Sequence, residues 1–271
     1  MDISQNEPAD HGIEDVTLVD NIALAGFDET AAGTYRRAQC AVFRKTNERW
    51  GGLSNMAAGF PLWVNGIDIR TSEALYQAAR FPHLPAVQRE IFAQASPMSA
   101  KMKSKPHRHQ ARPDFDALRV PIMWWSLRVK LACNPVTFAG LLSSTAERLI
   151  VEDSHKDTYW GAVPSKVDPS LLHGANVLGR LLGLLRDIVV TLDPAQWQMV
   201  PPPPIADFLL DGQPVEAVTG AGSRPRTAVA GGQQAHRTVS VREKDREAAP
   251  AKLCPNCFVA LPVTGRCDTC E

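Results

Sequence analysis

The segment from Asp114 to Cys133, DFDALRVPIMWWSLRVKLAC, constrains the fold more than any other part of the sequence. Its apolar residues recur at the spacing of one helical face. The residues on that face are Phe115, Leu118, Ile122, Trp125 and Val129. A helix with such a face has to pack against other elements, so the segment predicts a folded domain. Pro121 is expected to kink the helix or to mark its true start.

Shorter segments on both sides carry the patterns of strands and further helices. Strands are predicted at 39–45, 61–70 and 148–153, with a tight turn at Asn65-Gly66. A helix is predicted to begin at Thr71 or Ser72, with a hydroxyl cap. Further helices are predicted at 85–95, at 96–105, after Asn134-Pro135 through Leu142, and at 175–190. Together these elements predict an α+β fold that is mainly helical, with a small sheet.

The composition divides the chain into four parts. Residues 1–38 are polar without a clear period, which is typical of a flexible lead-in, although 16–27 is a candidate docking element. One compact domain is predicted at 39–193, which holds every Trp but one. Residues 194–252 are rich in Pro, Gly and charge and are predicted to form a linker, within which DFLLDG is a candidate docking segment. Residues 253–271 form a cysteine module.

The overall charge and hydropathy argue against a membrane partner and against a strong field over the whole molecule, while a local basic patch remains possible. The chain has 29 Lys and Arg against 29 Asp and Glu, so the molecule as a whole has no strong field for nucleic acid or membrane. It has no apolar run of about 18 residues, the length that a membrane span requires. Its N-terminus is acidic and lacks the basic start of a secretory signal. We therefore expect a cytoplasmic protein without a membrane partner.

Four of the six cysteines form two Cys-x-x-Cys pairs, nine residues apart, in CPNCFVALPVTGRCDTC. Such pairs can close on one tetrahedral Zn²⁺, which would fold a module that is too short to fold alone. Four thiolates leave no open position, so the zinc is predicted to be structural, with a redox or disulfide pair as the alternative. The predicted ligands are Cys254, Cys257, Cys267 and Cys270.

Glu73, Gln77 and Arg80 are spaced to lie on one stripe of the helix that begins near Thr71. The stripe is a candidate wall of a binding site. The alternative is a solvated helix face with an acid in its first turn.

Two further segments could contact a phosphorylated sugar. The loop RWGGLSNMAAGFP presents Ser54 and Asn55, which suit phosphate or ribose hydroxyls, although it could equally be a simple connection between strands. The basic run KMKSKPHRHQARPDFD contains Lys101, Lys103 and Arg112, which could hold a pyrophosphate or a nucleic-acid backbone. A solvated loop is the alternative for the basic run.

The stretch from His155 to Arg186 combines a carboxylate, an aromatic pair and an amide beside a leucine-rich helix. A nucleobase joined to ribose needs an aromatic wall for the base and an acid for the sugar. Asp157, Trp160, Gly161 and Asn176 are therefore candidate site residues. In the alternative reading, Trp160 belongs to the core and Asp157 caps a turn.

Six motifs, in order, resemble the NADAR (YbiA-like) domain over about residues 40–190. They are GGLSN, TSEALYQAARF, SPMSAKMKSK, RPDFDALRVPIMWWSLRVKL, LLSSTAERLIVEDSHKDTYWG and HGANVLGRLLGLLRDIV. The resemblance implies a compact, mostly helical α+β domain with N-glycosidase activity. Some members of the family remove ADP-ribose from guanine bases, and others cleave a riboflavin-pathway intermediate at its base–ribose bond.

The resemblance assigns roles residue by residue. Glu73 matches the helix-start Glu of the family, Asp157 and Trp160 match its Asp-x-x-Trp-Gly pattern, and Asn176 matches its Gly-x-Asn. This chain departs from the family in having Arg80 for Lys and Phe115 for Trp. It also has Ala-Val-Pro after Trp-Gly, where a second Gly is usual.

The implied reaction is hydrolysis of the base–ribose bond of an ADP-ribosylated nucleobase, nucleotide or DNA. Either Glu73 or Asp157 could steady the sugar cation and activate water. Glu73 is favoured as the base, in which case Asp157 would hold ribose hydroxyls and Trp160 would stack on base or sugar. Asn55 and Asn176 are expected to orient the ribose. No cofactor is required for this step, and the zinc module could hold a nucleic acid or a protein. The alternatives are an N-glycosidase for a phosphoribosylated pyrimidine, a catalytically silent ADP-ribose-binding module, and a zinc-dependent nucleic-acid binder.

Overall fold

The computed structural model describes residue 20 and residues 23–220. The helices are Ser72–Ala78 (α1), Pro85–Phe92 (α2), Pro97–Ser104 (α3), Phe115–Cys133 (α4), Thr137–Ser143 (α5), Val177–Thr191 (α6) and Pro194–Trp197 (α7). Short 3-10 turns occur at Arg37–Gln39, Gly51–Leu53 and Lys105–Gln110. The strands are Gly33–Arg36 (β1), Cys40–Phe43 (β2), Leu62–Val64 (β3), Ile67–Ile69 (β4), Leu149–Glu152 (β5), Val163–Pro164 (β6), Leu171–Gly174 (β7), Met199–Val200 (β8), Leu209–Leu210 (β9), Gln213–Pro214 (β10) and Val218–Thr219 (β11). The predicted α+β fold, mainly helical, is confirmed, but the described strands form one three-stranded and four two-stranded sheets where the sequence predicted a single small sheet.

Helix α4 forms the centre of the domain. It starts at Phe115 and runs through Pro121, so the proline lies inside the helix and does not mark its start. The predicted face is largely buried, but from Val120 to Ala132 the other faces are mostly buried as well. That burial includes Arg128 and Lys130, whose charged ends find partners inside the domain. The helix is therefore enclosed by the domain, where the sequence predicted a single buried face.

Local signals in the sequence correctly predicted the bounds of several elements. Thr71 caps α1, since its side chain accepts the N–H of Ala74. Ser96 caps α3 in the same way, with Pro97 at the first helical position. Asn65 and Gly66 both have positive φ and close the β3–β4 hairpin.

Two small sheets position the candidate site. Strands β2 and β5 pair in parallel, with Phe43 opposite Glu152 at their carboxyl ends. Strand β7 pairs antiparallel with both β1 and β6. Helix α6 packs against β5 and follows β7 directly. The carboxyl end of β5 lies beside the start of α6, because Asn176, the residue before α6, forms hydrogen bonds with the backbone of Ile150 and Glu152.

The prediction that residues 1–38 are flexible is wrong for the described part of that range. Strand β1 lies in the β1–β7–β6 sheet. Asp20 forms an ion pair of 2.9 Å with the buried Arg128 and accepts the indole N–H of Trp124. Glu29 accepts hydrogen bonds from Arg119 and from the hydroxyl of Tyr159. These contacts bear out a docking element near 16–27 only at the residues that the structure describes.

The prediction of a linker from residue 194 is wrong for residues 194–220. Trp197, Val200, Phe208, Leu210 and Val218 are buried in the main core. The DFLLDG segment docks as expected, because Phe208 packs edge-on against Trp125 with ring centroids 5.0 Å apart. A segment rich in proline can still pack where it has its own aromatic and branched residues.

Replacing Phe208 by alanine should therefore destabilise the domain by about 3 kcal/mol, as expected for a large buried aromatic. The change would leave a cavity beside Trp125. Urea unfolding followed by tryptophan fluorescence measures the effect. The control is Val167→Ala, since Val167 is 96% exposed and its loss should cost under about 0.5 kcal/mol. Equal midpoints for the two variants would mean that 194–220 is not part of the cooperative unit.

Some predictions concern residues that the structure does not describe, and another concerns membrane crossing. The four cysteines of the predicted zinc module, residues 221–252 of the predicted linker and most of 1–22 lie outside the described residues. Within residue 20 and 23–220, no helix is both long and apolar enough to cross a bilayer.

Candidate active site

A cavity of about 260 Å³ opens beside α1, α3 and the carboxyl end of β5. Acidic, basic, amide and aromatic side chains all line it. They are Asn55, Met56, Glu73, Tyr76, Gln77, Arg80, Lys101, Arg108, Met123, Glu152, Asp157, Trp160 and Leu178. Both predicted catalytic carboxylates, Glu73 and Asp157, therefore face one cavity together with the indole of Trp160.

Glu73 is held in one orientation at the start of α1. It is only 5% exposed, and its backbone N–H donates to the carbonyl of Asn55. Its Oε1 accepts a hydrogen bond of 2.9 Å from Gln77 and lies 4.0 Å from the ammonium of Lys101. Gln77 is itself fixed by the hydroxyl of Ser104 at 2.7 Å. The stripe on α1 is thus a cavity wall and not a solvated face.

Asn55 brings an amide into the cavity from the loop that precedes β3. Its side chain is buried, and Nδ2 contacts the sulfur of Met123 at 3.2 Å. Its Oδ1 is buried without a hydrogen-bond partner among the described residues. Since an unpaired buried oxygen is costly, this atom is a candidate acceptor for a ligand hydroxyl.

Lys130 holds that loop in place from within the core. Its ammonium donates to the carbonyls of Gly52 and Ser54 at 2.7 and 3.0 Å. The rings of Phe60 and Phe138 lie within 4.6 Å of it. Burial lowers the pKa of Lys130 to about 7. Lys130 does not line the cavity, so its role is to position the loop that carries Asn55.

Asp157 combines the two readings that the sequence left open. Its Oδ1 accepts the backbone N–H groups of Tyr159 and Trp160 at 3.0 and 2.9 Å, which caps a turn. It also lines the cavity. Trp160 is half-buried and packs edge-on against Tyr76 and Tyr159, with centroids 5.8 and 5.0 Å away. The turn therefore sets the carboxylate and the indole side by side.

Glu152 is the third carboxyl of the cavity, and it was not among the predicted site residues. It is the last residue of β5, and its backbone N–H donates to Oδ1 of Asn176 at 3.1 Å. Burial raises the pKa of Glu152 to about 7, and the charges of Asp157 and Glu73 act in the same direction against Lys101. This carboxyl is therefore partly protonated near neutral pH.

Three cationic side chains line the cavity together with the three carboxyls. They are Arg80, Lys101 and Arg108. The guanidinium of Arg80 lies 3.9 Å above the ring of Phe115, and its buried Nε has no hydrogen-bond partner among the described residues. Burial lowers the pKa of Arg80 from its usual value. The arrangement offers positive charge for a phosphate beside acids for a sugar.

Comparison with known proteins gives the family. The NADAR domain family matches residues 42–189. This chain belongs to the NADAR family. The N-glycosidase YbiA of Escherichia coli is 32% identical over 145 residues, which cover 54% of this chain and 85% of that protein. An N-glycosidase of Nostoc punctiforme is 28% identical over 157 residues, which cover 55% of this chain and 92% of that protein.

Other matches extend across the family. A riboflavin biosynthesis protein of Vibrio vulnificus is 29% identical over 147 residues, which cover 54% of this chain and 37% of that protein. The NMR structure of E. coli YbiA aligns with a TM-score of 0.47 at 28% identity. The alignment covers 60% of this chain and 94% of that structure. The family and its curated relatives make the chain an N-glycosidase.

Five of the predicted binding residues do not line the cavity. Lys103 points to Glu90, with which it forms an exposed ion pair of 3.0 Å. Arg112 pairs with Asp114 and donates to the carbonyl of Ala206, so it fastens the segment after α7 to the domain. The other three are Ser54, Gly161 and Asn176, which shape the backbone around the cavity.

Asn176 is a positioning residue for β5. It adopts a left-handed backbone (φ 48°), which asparagine tolerates, and it is 1% exposed. Its Nδ2 donates to the carbonyl of Ile150 at 2.8 Å, while its Oδ1 accepts from Glu152. Both ends of the Asn176 amide are therefore used to fix the strand that carries Glu152.

The cavity residues that the sequence did not predict had weak signals. Tyr76, Met56, Met123 and Leu178 read as ordinary core residues. Arg108 belongs to the basic run but was not singled out from it. Glu152 did have a signal, since an acid at the carboxyl end of a parallel strand lies where α/β proteins often bind ligands. That signal can be used only once the parallel pairing of β5 with β2 is known.

Proposed function

We propose that this N-glycosidase hydrolyses the base–ribose bond of an ADP-ribosylated nucleobase, with ADP-ribosyl-guanine, free or in DNA, as the first substrate. The observation that carries the proposal is the meeting of Glu73, Asp157 and Trp160 in one cavity with three cations. A base, a ribose and a diphosphate each find a complementary group there. The enclosed part would hold the reacting ribose, and Arg108 and Lys101 would hold the phosphates.

The reaction breaks the bond between the anomeric carbon and the base nitrogen. Positive charge develops on the sugar, and the nearby carboxylates stabilise it. Glu73 is the proposed base, because Gln77 and Lys101 fix its carboxylate while the other side faces the cavity. Asp157 would accept hydrogen bonds from ribose hydroxyls, and Asn55 would offer its unpaired oxygen to the same sugar.

A phosphoribosylated pyrimidine is the second candidate substrate. Two observations favour it. The cavity volume of about 260 Å³ is at the small end of the roughly 300–1,000 Å³ of ligand sites. Relatives from Vibrio vulnificus and Zea mays carry the name of riboflavin biosynthesis proteins. A single phosphate would then occupy the cation cluster that a diphosphate fills in the first proposal.

The cysteine module keeps its proposed role as a structural zinc site. We expect Cys254, Cys257, Cys267 and Cys270 to hold one zinc ion, in a module that helps to hold a polymer or a protein partner.

A panel of N-ribosides tests the proposed function. The full-length protein is offered ADP-ribosylated guanosine, an ADP-ribosylated DNA oligonucleotide and a phosphoribosylated pyrimidine, and free base is followed by mass spectrometry. We expect the highest kcat/KM on the ADP-ribosylated guanine substrates. A higher value on the pyrimidine would select the second candidate. Binding of ADP-ribose without release of any base would contradict both.

A further inference from the structure

We propose that Glu152 is a catalytic acid of this cavity, which donates a proton to the base as it leaves the ribose. This inference rests on the proposed riboside substrate. The established activity needs three services from the protein, namely stabilised positive charge on the sugar, an activated water and a protonated leaving group. Glu73 and Asp157 account for the first two. Glu152 is the remaining acid in the cavity lining.

The three carboxyls have different surroundings. Glu73 receives a hydrogen bond from Gln77, and Asp157 receives two from backbone N–H groups. Among the described residues, no donor forms a hydrogen bond or an ion pair with the carboxyl of Glu152. The environment of Glu152, which is desolvated and offers no donor to its carboxyl among the described residues, therefore favours a neutral, proton-bearing group.

The charges that face Glu152 come from several elements. Asp157 and Glu73 line the same cavity, and Asp153 follows in the chain, with its own charge opposed by Arg37 at 2.9 Å. Lys101 is the cation that acts on Glu152 most directly. Arg80, Arg108 and the hydroxyl of Tyr76 complete the titratable and charged lining. Neighbouring acids that cannot all ionise leave one with its proton, and Glu152 is the one whose carboxyl receives no hydrogen bond from the described residues.

The backbone around Glu152 is fixed on two sides. Asn176 binds the N–H of Glu152, and the carbonyl of Glu152 accepts the N–H of Ala162 at 2.8 Å. Such fixed geometry suits a group that must meet a leaving nitrogen at hydrogen-bond distance.

The bond between the anomeric carbon and the base nitrogen breaks, and its electron pair stays on the nitrogen. The proton of Glu152 moves to the base, so the base leaves neutral and Glu152 becomes a carboxylate. Water adds its oxygen to the anomeric carbon and gives a proton to Glu73. Proton exchange with solvent restores both acids.

The test compares Glu152→Gln with wild type on two leaving groups. On the purine or pyrimidine riboside that the panel selects, kcat/KM should fall by roughly 10²–10⁴-fold, the usual contribution of a general acid. On the matching nitrophenyl riboside, whose leaving group departs as an anion, the loss should be under about tenfold. The wild-type rate should also decline above about pH 7, and this decline should be absent in the variant. Glu147→Gln, at an exposed glutamate outside the cavity, should match wild type.

Two results would overturn the proposal. An equal loss on both leaving groups would give Glu152 a structural role, and no loss on either would remove it from the reaction. A separate readout does not depend on turnover. In ¹³C NMR of the free protein, one glutamate carboxyl should titrate near pH 7 and vanish in Glu152→Gln. If all glutamates titrate below about pH 5.5, Glu152 is not the acid, even where the panel reveals no substrate and the proposed function itself fails.

Discussion

Replacing Glu73 by glutamine should lower kcat/KM on the cleaved riboside by roughly 10²–10⁴-fold. Glutamine has the same shape and can still accept the hydrogen bond from Gln77, so the fold should be unchanged. It cannot take a proton from water or carry the negative charge that steadies the sugar cation. Unlike Glu152→Gln, this variant should lose activity on the nitrophenyl riboside as well, because water attack is common to both substrates.

Single-turnover kinetics on both substrates, with thermal unfolding of each protein, separates chemistry from folding. Glu90→Gln is the matched control, since Glu90 is an exposed glutamate outside the cavity that pairs with Lys103. Equal rates for Glu73→Gln and wild type would remove Glu73 from the mechanism, while the family assignment would stand.

Replacing Gly161 by alanine should damage both the fold and the activity. An added Cβ would lie 2.7 Å from the carbonyl oxygen of Glu152 and 3.2 Å from the Cβ of Ser154. Both neighbours belong to the junction between β5 and the Asp157 turn, so one of them must move. We expect a loss of about 1–3 kcal/mol in the free energy of unfolding, as in overpacked cores. A drop in kcat of more than about tenfold should accompany it, because the carboxyls of Glu152 and Asp157 would shift together.

The matched control is Gly183→Ala in helix α6, where an added Cβ meets nothing within 4 Å. Alanine is the better helix former by about 1 kcal/mol, so this variant should be more stable than wild type and fully active. Urea unfolding and steady-state kinetics on both variants test the pair. Similar stability for the two would mean that the close packing at Gly161 can relax without cost.

Local signals predicted the parts of the fold that depend on neighbouring residues. The cap at Thr71, the Pro97 start of α3 and the Asn65-Gly66 turn each result from chemistry within a few residues. The same holds for the stripe of Glu73 and Gln77, whose helical spacing puts both side chains on the cavity. The Asp157–Trp160 turn was visible because its hydrogen bonds span only two or three residues.

Residues whose roles depend on distant partners could not be placed from the sequence. Asn176 looks like a sugar ligand until β5, which is 24 residues away, is seen to take both ends of its amide. Arg112 does not line the cavity, and its partner Ala206 lies in a segment whose composition predicts a linker, so no local pattern points to that contact. Glu152 reads as the polar end of a short strand. Its importance comes from Glu73 and Asp157 converging on it, and no local pattern encodes that convergence.

The β1–β7 pairing has a consequence for how the domain is made. Thr34 and His173 are partners across 139 residues, so the first strand leaves the ribosome long before its partner is synthesised. Contacts of such separation slow folding, because a long loop must close before they form. During synthesis the early strand has an open edge, which is the kind of surface that chaperones cover and that other nascent chains can capture. We therefore expect the yield of this enzyme in cells to depend on translation speed and chaperone supply more than its final stability would suggest.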